Sequence, residues 1–150
     1  MSDVDAGGVT DEPHFPTTNK LVIVLREGLA GWQALNATAF LASGLAAGRP
    51  DLVGEEYVDG SGARYLPVFG QPVMVMSAAS GVLASIRERA ASRGLGVSLF
   101  IDDIFATGND ADNRAAVAAV PSDELSIVGM GIVGPKNAVD KVTKGASLYR

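Results

Sequence analysis
Apolar residues in this chain fall into short unbroken runs separated by stretches of helical spacing. Leu21-Val22-Ile23-Val24-Leu25 is continuous and rich in β-branched residues, the pattern of a strand covered on both faces. Val73-Met74-Val75-Met76, introduced by Pro72, and Val97-Ser98-Leu99-Phe100-Ile101 read the same way. Leu125 to Val133 is a further apolar strand with Gly129 and Gly131 inside it. Trp32 to Ala47 is an Ala- and Leu-rich helix, with Gly48 as its C′ residue and Pro50 preventing continuation. Leu35, Ala39, Ala42 and Leu45 mark an apolar stripe on it. Ser80 is expected to cap a second helix running to about Arg93, with Val82, Leu83, Ile86 and Ala90 facing inward and Gly94 ending it. Asp110 to Val120, stopped by Pro121, and Lys136 to Lys144, opened by Pro135, complete the helices. Glu56 to Val68 reads as a hairpin turning at Asp59-Gly60-Ser61-Gly62. Alternating strands and helices predict an α/β domain with a mostly buried, mixed sheet.

Composition narrows the function classes. The 150 residues suit one domain, and 47% hydrophobic residues suit a packed core. No run reaches the roughly 18 apolar residues of a membrane span. Residues 1–19 carry Asp3, Asp5, Asp11 and Glu12 without a base; they read as a mobile acidic tail and not as a signal peptide. The net charge of −5 is therefore mostly in the tail, and the rest gives no bulk attraction for nucleic acid. Lys136, Lys141, Lys144 and Arg150 form a local basic cluster, read first as a solvated helix face. The absence of cysteine excludes a disulfide framework and fits a reducing cytoplasm. The single histidine, His14, lies in the tail, so serine-triad and thiol mechanisms have no ordinary parts in the domain.

Candidate chemistry concentrates after the Val97–Ile101 strand, where Asp102, Asp103 and Thr107 follow in Ile101-Asp102-Asp103-Ile104-Phe105-Ala106-Thr107. Ligands bind beyond the carboxyl ends of strands in open α/β sheets. An acid held there can serve as acid or base; backbone capping by Asp and Thr is the competing explanation. Asn36 and Thr38, in the first turns of the first helix, could meet this segment across the sheet edge. Gly129-Met130-Gly131-Ile132-Val133-Gly134 spells G-x-G-x-x-G. It lies too near the C-terminus for a dinucleotide fold, and its glycines read instead as sites of close packing. Asp102, Asp103, Asp110 and Asp112 lack a calcium-loop spacing, so neither metal nor cofactor is expected.

Several of these residues together resemble the peptidyl-tRNA hydrolase type II superfamily, and more closely a bacterial branch catalogued as a domain of unknown function. The resemblance runs through Lys20-Leu21-Val22-Ile23-Val24-Leu25-Arg26, the helix from Gly31-Trp32-Gln33, Asp103 with Thr107, Gly134-Pro135, and Val139-Asp140-Lys141-Val142-Thr143-Lys144-Gly145. It implies a single three-layer α/β/α domain over residues 20–150. That domain would hold a mixed sheet of about four strands, with the hairpin as an addition, and would form a homodimer. The implied family activity is metal-free hydrolysis of the ester joining peptide to tRNA. This chain departs from the family at four places: Trp32 stands for its catalytic lysine, Asn36 for glutamine, Thr38 for serine and Ala39 for histidine. An indole can neither bind phosphate as an ammonium does nor stabilise developing negative charge. The expectation is thus a cofactor-free, hydrolase-like protein for a small or peptide-like molecule, with Asp103 as acid/base and Thr107 and Asn36 as polar orienters. Trp32 would form a stacking wall, with Gln33, Thr38, Asp102 and Lys141 as further substrate contacts. The alternatives are true peptidyl-tRNA hydrolysis, with Lys136, Lys141 or Lys144 replacing the lysine, and a non-catalytic binding or dimerisation module.

Overall fold
A computed structural model describes residues 18–150; the expectations for the acidic tail, His14 included, lie outside the described residues. Strand β1 (Asn19–Arg26) leads into helix α1 (Gly31–Gly48). A hairpin of β2 (Tyr57–Val58) and β3 (Arg64–Tyr65) precedes β4 (Val73–Ala78), α2 (Ser80–Ser92) and β5 (Gly96–Ile101). A 3-10 turn (Asp102–Ala106) and α3 (Asp110–Ala118) then lead to β6 (Ile127–Pro135), α4 (Lys136–Val142) and β7 (Ser147–Leu148). The main sheet has five strands in the order β5-β6-β1-β4-β7, and the hairpin forms a separate two-stranded sheet. The sheet is mixed: β1 runs parallel to β4, from Leu21 opposite Val73 to Arg26 opposite Ala78, and antiparallel to β6.

The continuous apolar run of β1 follows from this central position. Leu21, Ile23 and Leu25 join one buried cluster with Ala34, Ala37, Leu41 and Leu45 of α1. Val22 and Val24, pointing the other way as successive strand residues do, join Leu83, Ile86 and Ala90 of α2 and Val139 and Val142 of α4. Because both faces are covered, no position in the run can be polar.

The inward face of α1 differs from the expected stripe. Leu35 is 75% exposed and Ala39 is also exposed, whereas Ala34, Ala37 and Leu41 are buried beside Leu45. The helix has no charged residue in its 18 positions, so apolar spacing does not distinguish one face from another. Close approach does. A Cβ on Gly131 would lie 2.5 Å from Ser98 Oγ and 3.0 Å from Leu45, and one on Gly129 would lie 2.9 Å from Leu25 and 3.0 Å from Leu41. A Cβ on Gly44 would lie 2.7 Å from Ser98 Cβ. Glycine on both strand and helix lets α1 sit directly on β5 and β6, and Ser98 Oγ donates to Leu41 O at 2.9 Å across that contact. The G-x-G-x-x-G segment is wholly inside β6.

Other differences are local. Gly48 is the last residue of α1 itself, and the chain leaves at Arg49, whose N–H donates to Leu45 O. Ser80 is the first residue of α2; Ala79 precedes it without a side-chain cap. Gly94, with φ of +67°, does end α2, a backbone state glycine reaches without a Cβ penalty. The fifth strand, β7, is two residues that pair with Met76 and Ser77 of β4, too short to carry an apolar period. In the hairpin, Asp59 Oδ1 accepts from the N–H groups of Ser61 and Ala63, and Asp59 Oδ2 from the Tyr65 hydroxyl. No helix among the described residues is long and apolar enough to cross a membrane.

Candidate functional site
The polar segment after β5 folds as the Asp102–Ala106 turn because Asp102 is held from two sides. Arg26, at the carboxyl end of β1, donates through its two terminal guanidinium nitrogens, Nη1 and Nη2, to the two Asp102 carboxylate oxygens at 2.8 and 2.9 Å. The Ser126 hydroxyl also donates to Asp102. The guanidinium, aided by that hydroxyl and opposed by burial, holds the Asp102 carboxyl below the ordinary carboxylate range. Asp102 is therefore a fixed anion that positions the turn, and a poor proton acceptor at neutral pH. Asp103, next in the chain, is exposed and makes no side-chain hydrogen bond among the described residues.

The turn projects Phe105 toward the start of α1. Trp32 and Phe105 meet edge to face with ring centroids 5.4 Å apart. Phe105 contacts Phe100 at 4.8 Å, and Phe100 contacts Phe40 at 5.8 Å. This aromatic series borders a cavity of about 370 Å³, whose polar lining comes from Asn36, Thr107, Asn109, Asp110 and Asn113. Thr107 Oγ1 donates to Ile104 O at 2.9 Å and also contacts the Asn113 side-chain oxygen position. A hydroxyl has one proton, so the Asn113 amide turned to present its NH₂ would complete both bonds, an orientation set by the network. Asn109 caps α3, its side chain accepting from Asp112 N at 2.9 Å.

Of the residues singled out in the sequence, Trp32, Asn36, Thr107 and Asp110 come together at this cavity. Asp103 lies on the Asp102–Ala106 turn and does not line the cavity. Gln33 instead caps α1, its Oε1 accepting from Ala30 N at 3.1 Å. Thr38 donates to Ala34 O one turn back in its own helix, at 2.7 Å. Lys141 is on α4, which packs on the opposite sheet face from α1. Lys20 of β1 and Lys136 of the basic cluster both donate to Asp140, which lowers the pKa of that carboxyl. The other acids weighed as metal ligands are also engaged, Asp110 by Arg114 and Asp112 by Asn109.

Sequence reading passed over Arg26, Phe40, Phe105 and Asn113. Arg26 did leave a signal, a charge ending an apolar strand. Phe40 and Phe105 look like core residues until the tertiary contacts place them at an open cavity. Asn113 is indistinguishable from any polar helix residue.

No curated protein matches the chain. A solved structure of a protein of unknown function from Agrobacterium tumefaciens strain C58 is similar at a TM-score of 0.86 and 41% identity, covering 89% of this chain and 98% of that one. A family model described as protein of unknown function (DUF2000) matches residues 19–150. Over its whole described domain, the chain belongs to this DUF2000 family.

Proposed function
We propose that the protein is a cofactor-free, enzyme-like member of a peptidyl-tRNA hydrolase II-like scaffold. It acts on a small or peptide-like molecule in the cleft beneath Trp32. The observation that carries this reading is the convergence of Asn36, Thr107 and Asn113 inside an aromatic-walled cavity of about 370 Å³. Apolar walls with convergent polar groups are the usual make-up of a small-molecule site; here five apolar side chains face five polar ones. Amides and a hydroxyl there match a substrate bearing amide or ester groups. Asp102 is committed to Arg26, so this reading assigns the acid/base role to Asp103, the turn's other carboxylate, which lies outside the cavity lining. Hydrolysis is the default reaction, and an isomerase or cyclase would use the same parts. Transfer-RNA hydrolysis is less favoured, because Lys141 is on the far sheet face from the cavity.

Trp32 is the only tryptophan in the chain and is 62% exposed at the cavity rim, so its fluorescence reports occupancy directly. Titration with N-acetyl amino-acid amides and esters should shift its emission. Asn36→Ala and Thr107→Val should weaken the response about tenfold each, the loss of roughly 1.4 kcal/mol of binding. No response from any compound in the panel would remove the cleft as a site for such molecules.

A further inference from the structure
Strand β5 ends the sheet. Its inner edge pairs with β6 from Gly96 opposite Val133 to Ile101 opposite Ile127, and among the described residues no strand pairs with its outer edge. Natural edge strands are guarded by lysine, proline or a covering element, because their unpaired N–H and C=O groups invite another strand. The sequence Gly96-Val97-Ser98-Leu99-Phe100-Ile101 contains neither guard residue. Helix α3 faces this edge across a gap, with none of its nine residues buried. Between α3 and the strand is a cavity of about 600 Å³, bordered by Phe40, Leu99, Phe100 and Val117.

This cavity shares Phe40, Phe100, Ile104, Asp110 and Asn113 with the cleft beneath Trp32. At its other end it shares Gly44 and Ser98 with a cavity of about 390 Å³ that reaches Gly96 and Arg49. The cavities thus adjoin along the strand, the last of them turning under α1 onto Val133 and Gly134 of β6. Its charges neutralise each other: Arg114 pairs with Asp110, and Arg49 donates to Asp51 at 2.9 Å through two nitrogens. An anionic ligand would find no uncommitted cation there. A purely apolar one would cover the strand's backbone groups without bonding them, which is costly. An extended peptide supplies donors and acceptors at strand spacing and apolar side chains at alternate positions.

We infer that the groove along β5 binds an extended, uncharged peptide segment as a sixth strand, with one end entering the cleft beneath Trp32. The inference rests on the cleft being a ligand site and names the class of ligand it takes. Six residues of partner, about 20 Å at ~3.3 Å each, would match the strand.

The test uses the full chain and a fluorescein-labelled, capped peptide of three Val-Thr repeats, read by anisotropy. Two analogues N-methylated at alternate amides, one on odd and one on even positions, separate backbone pairing from apolar contact. The unmodified peptide should bind. One analogue should bind at least tenfold more weakly while the other is nearly unchanged, because only alternate amides face the protein. Val117→Asp, on the unburied helix, should also weaken binding at least tenfold without unfolding the chain. Equal binding of both analogues would overturn the inference. So would a dimer in sedimentation that excludes the peptide, since it assigns the groove to a second copy. If N-acetyl amino-acid amides still shift Trp32 emission while the peptide does not bind, the strand inference falls and the cleft reading stands. If neither binds, both fall.

Discussion

Arg26 and Asp102 form a two-pronged ion pair, at 2.8 and 2.9 Å, that joins the end of β1 to the turn after β5 across the intervening strand β6. Arg26 also donates to Ile127 O of that middle strand at 3.3 Å. The pair ties together strands distant in sequence and sets where the turn carrying Asp103 and Phe105 begins. Paired planar geometry of this kind is the favourable form of an arginine–carboxylate contact.

Asp102→Asn should therefore reduce stability at pH 7, by about 1 kcal/mol once solvent screening at a partly open site is discounted. The pH dependence follows from the depressed folded-state pKa of Asp102. The contribution is fully present above the unfolded carboxylate value, about 3.9. It is lost as pH falls through the lower folded value. Urea unfolding of both proteins should show a gap at pH 7 that closes in strong acid. A gap independent of pH would mean that packing, not the charge of Asp102, is responsible.

The contact between α1 and the sheet gives a coupled prediction. Gly131→Ala places a methyl against Ser98 Oγ and Leu45 and should cost about 1–3 kcal/mol through overpacking. Ser98→Ala alone removes the bond to Leu41 O, a loss of about 1 kcal/mol. The double variant should be more stable than the sum of the two losses implies, because the closest clash is gone. Strict additivity in denaturant titrations would contradict the close approach.

Leu35 and Leu41 separate the two faces of α1. Leu41→Ala should destabilise by about 2–5 kcal/mol, as buried leucine truncations do, whereas Leu35→Ala should stay within about 0.5 kcal/mol. Thermal or chemical unfolding of the two single variants decides it, and a large loss at Leu35 would restore the face suggested by the sequence.

Asp103→Asn should leave stability within about 0.5 kcal/mol, since the side chain is exposed and makes no hydrogen bond among the described residues. The same change should abolish turnover of any ester or amide that the protein is found to process. Turnover that survives would remove Asp103 as acid/base. A substantial fall in stability would instead make Asp103 a structural capping residue.

The sequence by itself determined the alternation of strand and helix and the burial of β1 on both faces. It also determined the hairpin turn at Asp59–Gly62 and the polar segment after β5. Each is written in local period or in residues with a fixed conformational role. Gly94, for example, reaches the positive φ that ends α2. What local pattern did not contain, the tertiary structure decided. An uncharged helix has no intrinsic inward side, so the face of α1 was chosen by Gly44, Gly129 and Gly131, where two backbones can touch. The roles of Asp102 and Asp103, adjacent and chemically alike, were separated by Arg26, 76 residues from Asp102 along the chain. The cleft was assembled from Trp32, Phe105 and Asn113 because the turn after β5 meets the start of α1. Interactions between residues far apart in sequence have no local period, and only packing reveals them.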